Sequence, residues 1–327
     1  MARLIIRPAA LRHNLVVVEE RCRRAGATCM FVFKEAPLHA GLTASLLDGS
    51  PVHRLGLVSW PHHALPELSG ITLHHVYSPF PLLLQQSAAC RSVCVGSLFS
   101  LRTLKQACGN HVPDIRLCLE VGDGRDGVLP DELPRLCEEA RRLHLPLRGL
   151  SVNFACLSHE APTGERLRFA EKQLERIRSF CLPDADISAG GTDVLELAEQ
   201  ESLPPVVGEL RCGTGIMLGV YPLSGRPIPG TRQDTFRLEA QVLECRVKKG
   251  RLMTLLDAGS FHTAPEALLP PLSGMRFAGA SSAYTVFDMT DCPTPPKEGD
   301  LLSFALDYHS LSRALISQAL PITLEKA

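Results

Sequence analysis

The sequence predicts an α/β fold, a parallel eight-stranded (β/α)8 barrel of the TIM type followed by a smaller C-terminal β domain, and three observations predict it. Short apolar runs alternate with helix-period segments through the first two thirds of the chain. Past about residue 230 the alternation stops, and Pro265, Pro270, Pro271, Pro293, Pro295 and Pro296 punctuate short strand-like runs with no long helix between them. The 327 residues exceed one ordinary compact domain and suit a large barrel with an appended unit. The expected division is 1–230 for the barrel and 231–327 for the β domain.

Taken in order, "RLIIRP" (3–8) reads as a strand, "AALRHNLVVVEERCRRAG" (9–26) as a helix with a charged face, and "TCMFVFK" (28–34) as a buried strand ending on a lysine. Together they make one βαβ unit. Further strands are expected at 53–59, 73–78, 92–97, 115–122, 148–154 and 185–192, with helices at 100–108, 131–143 and 164–180. Apolar strands that look buried on both faces belong to a parallel sheet covered by helices, and at this length to a closed one. Beyond the barrel, 234–259 reads as two strands joined at Lys249-Gly250, 301–306 as a strand and "HSLSRALISQAL" as a closing helix.

Composition narrows the function. With 45% apolar and 21% charged residues the chain has material for a large core. Its 34 basic and 35 acidic residues are interspersed, giving a net charge of −1 and no electrostatic footprint for nucleic acid or an anionic membrane. Small-molecule chemistry is therefore expected. The twelve cysteines are scattered through apolar segments without a Cys-x-x-Cys pair, so they read as buried hydrophobes, no metal site is expected, and the reducing cytoplasm is the expected compartment. No leader peptide and no run of about 20 apolar residues is legible. His62-His63 and His74-His75 lack the spaced carboxylates or cysteines of a metal centre and read as loop and strand-end residues.

In a parallel barrel the working face lies at the C-terminal ends of the strands. Lys34 stands at one such end, where partial desolvation would make it a usable amine nucleophile, or water would simply solvate it. "EVGDGRDGV" (120–128) surrounds Arg125 with three glycines, as a cofactor loop or an ordinary turn would. "DISAGGTD" (186–193) sets Ser188, Gly190, Gly191 and Thr192 ahead of a helix, either as a phosphate cup or as a plain helix cap. "ELRCGTGIMLG" (209–219) puts Arg211 two residues before Gly213-Thr214-Gly215, whose backbone N–H groups and hydroxyl suit an anion, unless it is an ordinary strand-to-loop junction. A lysine, two phosphate-type loops and an arginine together match pyridoxal phosphate, which needs an imine-forming lysine, a phosphate seat and a partner for its pyridine nitrogen.

On "FVFK", "EVGDGRDGV", "RGLSVNFACLS", "ISAGGTD", "ELRCGTGIMLG" and "FAGASSAYTVFDMTD", in that order along the chain, the sequence resembles the alanine racemase type (fold type III) of pyridoxal phosphate enzymes, and most the ornithine racemase branch. The resemblance implies an imine lysine at Lys34 and a phosphate cup from Ser188, Gly191, Thr192, Gly213 and Thr214. It also implies Arg211 on the pyridine nitrogen, Arg125 near the lysine, and Asn153 and Cys156 in the loop bordering the ring. An arginine on that nitrogen leaves it unprotonated and weakens the ring as an electron sink. The chain departs from the family at Leu38, where a phosphate-binding tyrosine is usual, and at "LLDAGSFHT", where Asp257 occupies the segment of the second catalytic base. Tyr284 and His262 are the other candidates for that base. The resemblance implies an amino-acid racemase, a homodimer with shared sites, and an amino-acid substrate. The alternatives are another pyridoxal phosphate reaction on the same fold, such as decarboxylation or aldol cleavage, and a non-enzymatic carrier of the cofactor.

Overall fold

Eight short strands whose residues are nearly all buried hydrogen bond side by side and close on themselves, as two-faced burial requires. The computed structural model describes residues 1–58, 68, 70–76 and 90–325. Two compact units divide the chain. One comprises Asn14–Ile216 and Val220–Thr231, the other Met1–His13, Met217–Gly219 and Arg232–Ala327.

The N-terminal strand β1 (Arg3–Ile6) is not in the barrel. The closed parallel barrel consists of β2 (Thr28–Val32), β3 (Arg54–Leu57), β4 (Thr72–His75), β5 (Ser92–Val95), β6 (Asp114–Leu119), β7 (Leu147–Asn153), β8 (Asp186–Gly190) and β9 (Val207–Cys212), with β9 paired back onto β2. Helices α1 (Pro8–Arg24), α2 (Ala40–Leu47), α3 (Leu98–Cys108), α4 (Leu133–Arg142), α5 (Gly164–Ile177) and α6 (Asp193–Ala198) connect the strands or precede them. Their termini follow local chemistry. Ser97 caps α3 by accepting from the Ser100 N–H, and Thr163 caps α5 by accepting from the Arg166 N–H. Along α5, Leu167, Ala170, Leu174 and Ile177 recur at helical spacing and are all buried. Expected strands 53–59 and 73–78 are realised as β3 and β4; His62 and His63 lie outside the described residues.

In the other unit the sheet order is β12 (Leu268–Leu269), β15 (Leu301–Leu306), β10 (Phe236–Lys248), β11 (Arg251–Leu256), β14 (Thr285–Asp288) and β13 (Arg276–Ala280), all antiparallel. Lys249 and Gly250 both have positive φ, which gives the two-residue turn that matches the twist of the β10–β11 hairpin. Here β1 finds its place. It runs antiparallel to β10, Leu4 opposite Leu238 and Ile6 opposite Phe236, and parallel to β16 (Ile322–Leu324). The expectation that "RLIIRP" opens the barrel as part of a βαβ unit is therefore corrected. Leu4, Ile6, Phe236 and Leu238 are all buried, and so are Phe287 and Phe304, whose rings stack at 5.5 Å. That core has no partners for β1 within 200 residues of it in sequence, so a local reading cannot find it. Asp307 caps the closing helix, Tyr308–Ser317, by accepting from the Ser310 N–H.

Candidate active site

Strand alternation sends every second residue of β9 into the barrel, so Glu209 and Arg211 share an inward face. Arg211 is 6% exposed, and four hydrogen bonds hold its guanidinium. Nη1 donates to Ser151 Oγ (2.9 Å), Ser188 O (2.7 Å) and Ser188 Oγ (2.8 Å), and Nη2 donates to Val152 O (2.7 Å). Four bonds to three residues on β7 and β8 fix both position and tilt of the planar fork. Gly190 makes room for it. A Cβ there would lie 2.5 Å from Arg211 Nη2 and 2.9 Å from Asn153 Oδ1, far inside contact distance. We expect Gly190→Ala to push the guanidinium off these partners and cost about 1–3 kcal/mol, read as a lowered thermal midpoint.

Below Arg211 the network continues. Ser188 Oγ donates to Glu209 Oε1, and Glu209 Oε2 takes Arg54 Nη1 at 2.6 Å. Burial alone would raise the Glu209 carboxyl, but the charges of Arg116 and His74, the Ser188 hydroxyl and Arg54 hold it down at about 2. His74, bonded through its ring nitrogens to Thr72 and Ser92, is pushed down to about 4 by burial. Glu209 escaped the sequence reading although the quoted stretch begins with it. Its two-residue spacing from Arg211 in a strand is the signal that places them on one face.

Lys34 stands two residues beyond the end of β2. The register sets Phe31 beside Cys212, and Gly213 against the Val32 carbonyl, so Lys34 follows the edge along which the Gly213-Thr214 loop leaves β9. The two glycine loops are stapled together, because the Gly215 N–H donates to Thr192 Oγ1 at 3.1 Å. That bond engages Thr192, which is 2% exposed. A Cβ at Gly191 would meet nothing within 4 Å, so open space adjoins this backbone, as a bound group requires. Ser188 is the exception among the residues expected to form the cup. It lies three residues inward of Gly191, 1% exposed, with its hydroxyl spent between Arg211 and Glu209, and so positions Arg211 instead of lining the loop.

Arg125 follows β6 and pairs with its neighbour Asp126 through Nε and Nη2 at 3.1 and 3.0 Å. Asn153 ends β7 and donates through Nδ2 to Asp123 Oδ2 at 2.9 Å, while the Leu157 and Ser158 N–H groups donate to Asp123 Oδ1. These bonds overcome the effect of burial and keep the Asp123 carboxyl below its ordinary range. They also orient the Asn153 amide at the barrel mouth.

The β unit carries the candidates for a second base. Asp257 does not fit that role. Its Oδ1 accepts from the Gln241 N–H at 2.7 Å and its Oδ2 pairs with the Met1 amine at 3.2 Å, so both oxygens serve the sheet. His262 Nδ1 accepts from the Gly259 N–H at 3.0 Å. Tyr284 is 46% exposed and stands near Phe261, 66% exposed, in two loops joined by Ser260 and Phe261 N–H bonds to the Ser281 and Ser282 carbonyls.

A closed parallel barrel with polar residues gathered beyond its strand ends, followed by an antiparallel sheet unit, defines an α/β-barrel enzyme. The profile of the family described as alanine racemase, N-terminal domain, matches residues 6–222, and the chain belongs to that family. It is 26% identical over 248 residues to an ornithine racemase of Acetoanaerobium sticklandii, covering 68% of this chain and 70% of that protein. It is 28% identical over 224 residues to a lysine racemase of Thermotoga maritima, covering 61% and 62%. Among solved structures it is similar to alanine racemase from Bartonella henselae with covalently bound pyridoxal phosphate (TM-score 0.71, 13% identity, 99% of each chain). It is also similar to D-threonine aldolase from Filomicrobium marinum (TM-score 0.72, 17% identity, 96% and 89%). At such identities these two likenesses concern the fold. No helix among the described residues is long and apolar enough to cross a membrane.

Proposed function

We propose that this protein is a pyridoxal-phosphate-dependent isomerase, a racemase acting on a basic amino acid such as ornithine or lysine, that works in the cytoplasm as a homodimer. The observation that carries the reading is Arg211, a buried cation held by four hydrogen bonds beside the open backbone of Gly191. Names of two relatives, an ornithine and a lysine racemase, support the substrate class.

The residues present fit the cofactor. Arg211 has the character of a partner for the pyridine nitrogen, Gly191, Thr192, Gly213 and Thr214 of a phosphate seat, and Lys34 of the covalent anchor. When bound, pyridoxal phosphate supplies the electron sink that makes loss of an α-proton feasible. The rest falls to the chain. A guanidinium stays protonated, so Arg211 would donate to the ring nitrogen without surrendering a proton. Lys34, once its amine is free, takes or returns the α-proton on one face of the substrate carbon. Tyr284, exposed in one protomer, serves the opposite face in the other, and the exposed Phe261 gives the β unit an apolar contact for that pairing. Arg125 and Asn153, at the β6 and β7 ends, would border the ring.

The test begins with the visible spectrum of the purified protein before and after borohydride, followed by mapping of the reduced peptide. A band near ~420 nm that is lost on reduction, with the label on Lys34, supports the cofactor reading. Single enantiomers of ornithine, lysine and alanine in deuterated water then test the reaction. Deuterium at Cα of both enantiomers, fastest with a basic side chain, is expected. Absence of exchange together with release of an aldehyde or carbon dioxide would overturn the racemase reading in favour of a lyase.

A further inference from the structure

Three cysteines that the sequence scatters are brought to one point in the barrel unit. Cys22 of α1, Cys29 of β2 and Cys212 at the end of β9 place their sulfurs within 4.8 Å of one another, with Cys22 Sγ and Cys212 Sγ 3.9 Å apart. All three are buried, at 0%, 5% and 0% exposure. Among the described residues no other His, Cys, Asp or Glu joins the group. A thiolate–metal bond of about 2.3 Å, repeated three times around a central ion, puts the sulfurs about 4.0 Å apart. The cluster needs only small rotations of its side chains to meet that triangle.

We propose that Cys22, Cys29 and Cys212 form a three-sulfur binding site for a soft, thiophilic metal ion, with the cuprous ion as its natural size and charge class. Zinc in a structural role takes four protein ligands, and a fourth is missing here, whereas soft sulfur donors select monovalent copper. As the ion enters, two thiol protons leave to solvent, and the third sulfur remains a neutral donor. The ion offsets one of the two thiolates, so the site gains a single negative charge. Occupancy would tie α1 to β2 and β9 one residue away from Arg211 and one from Gly213. The inference stands independently of the proposed reaction.

The test is anaerobic titration of the full-length protein with cuprous ion from a chromogenic chelator. One ion per chain is expected to transfer from the chelator, with affinity at least about 100-fold weaker in Cys22→Ala and in Cys29→Ala and unchanged in Cys245→Ser. Retention of the ion in both alanine variants, or no transfer to the unmodified protein, overturns the proposal. Circular dichroism checks that the variants fold. Should they not, X-ray absorption of the copper-loaded unmodified protein decides: three sulfurs at about 2.3 Å support the site, and two sulfurs or a nitrogen–oxygen shell overturn it.

Discussion

Lys34→Ala protein is expected to lose racemase activity by at least about 10³-fold, which is the scale of removing a positioned acid–base group, and with it the covalent attachment of the cofactor. The loss should be in kcat, because Arg211 and the glycine loops do not depend on Lys34 for their geometry. Arg211 takes its bonds from Ser151, Ser188 and Val152, and the loop staple is between Thr192 and Gly215. The variant should therefore still take up pyridoxal phosphate reversibly, with the spectrum of the free aldehyde and no label after borohydride. Added methylamine should restore part of the rate by substituting for the missing amine. Full activity in the variant would remove Lys34 from the reaction.

Glu209→Ala should be the most damaging substitution for stability. Glu209 is 1% exposed, pairs with Arg54, and through Ser188 is linked to Arg211, while the nearby Arg116 pairs with Asp186. Removing one member of a buried charge network leaves the others uncompensated, at about 3–5 kcal/mol. For a unit of this size that lowers the thermal midpoint by roughly 10 °C. Glu209→Gln keeps the shape and an acceptor for Ser188, so it separates loss of charge from loss of packing. The same network sets an acid limit. Glu209 is held at about 2 against an ordinary 4.5, and His74 at about 4 against 6.5. Both are depressed in the folded state, so the stability they contribute is complete above the ordinary values. It declines as pH falls from about 6.5 to 4 for His74 and from 4.5 to 2 for Glu209. Denaturant midpoints measured across that range should fall in both windows, and in Glu209→Gln the lower window should flatten.

Much of this was legible in the sequence, for reasons that can be stated. Barrel strands announce themselves because two-faced burial demands apolar runs, hence β2 to β8 were readable, and paired glycines mark the loops at strand ends, hence Gly190-Gly191 and Gly213-Thr214-Gly215 could be singled out as candidates. What failed was distant in sequence. Ser188 looks like part of a cup until the fold shows Arg211 and Glu209 consuming its hydroxyl. Asp257 looks like a base until Gln241 and the amino terminus claim both oxygens. The three clustered cysteines sit 7 and 183 residues apart along the chain, a spacing no short motif can encode.

The place of β1 has a consequence for how this protein is made. Its partners, β10 and β16, lie beyond the whole barrel in the chain. During synthesis β1 must therefore wait, with Leu4, Ile5 and Ile6 unpaired, until those strands have emerged. A chain that stops after Thr231 never supplies those partners, and its barrel would be released with an open apolar strand at its head. Premature termination should thus yield aggregates rather than a free barrel, which makes the strands beyond the barrel a condition for β1 to be covered.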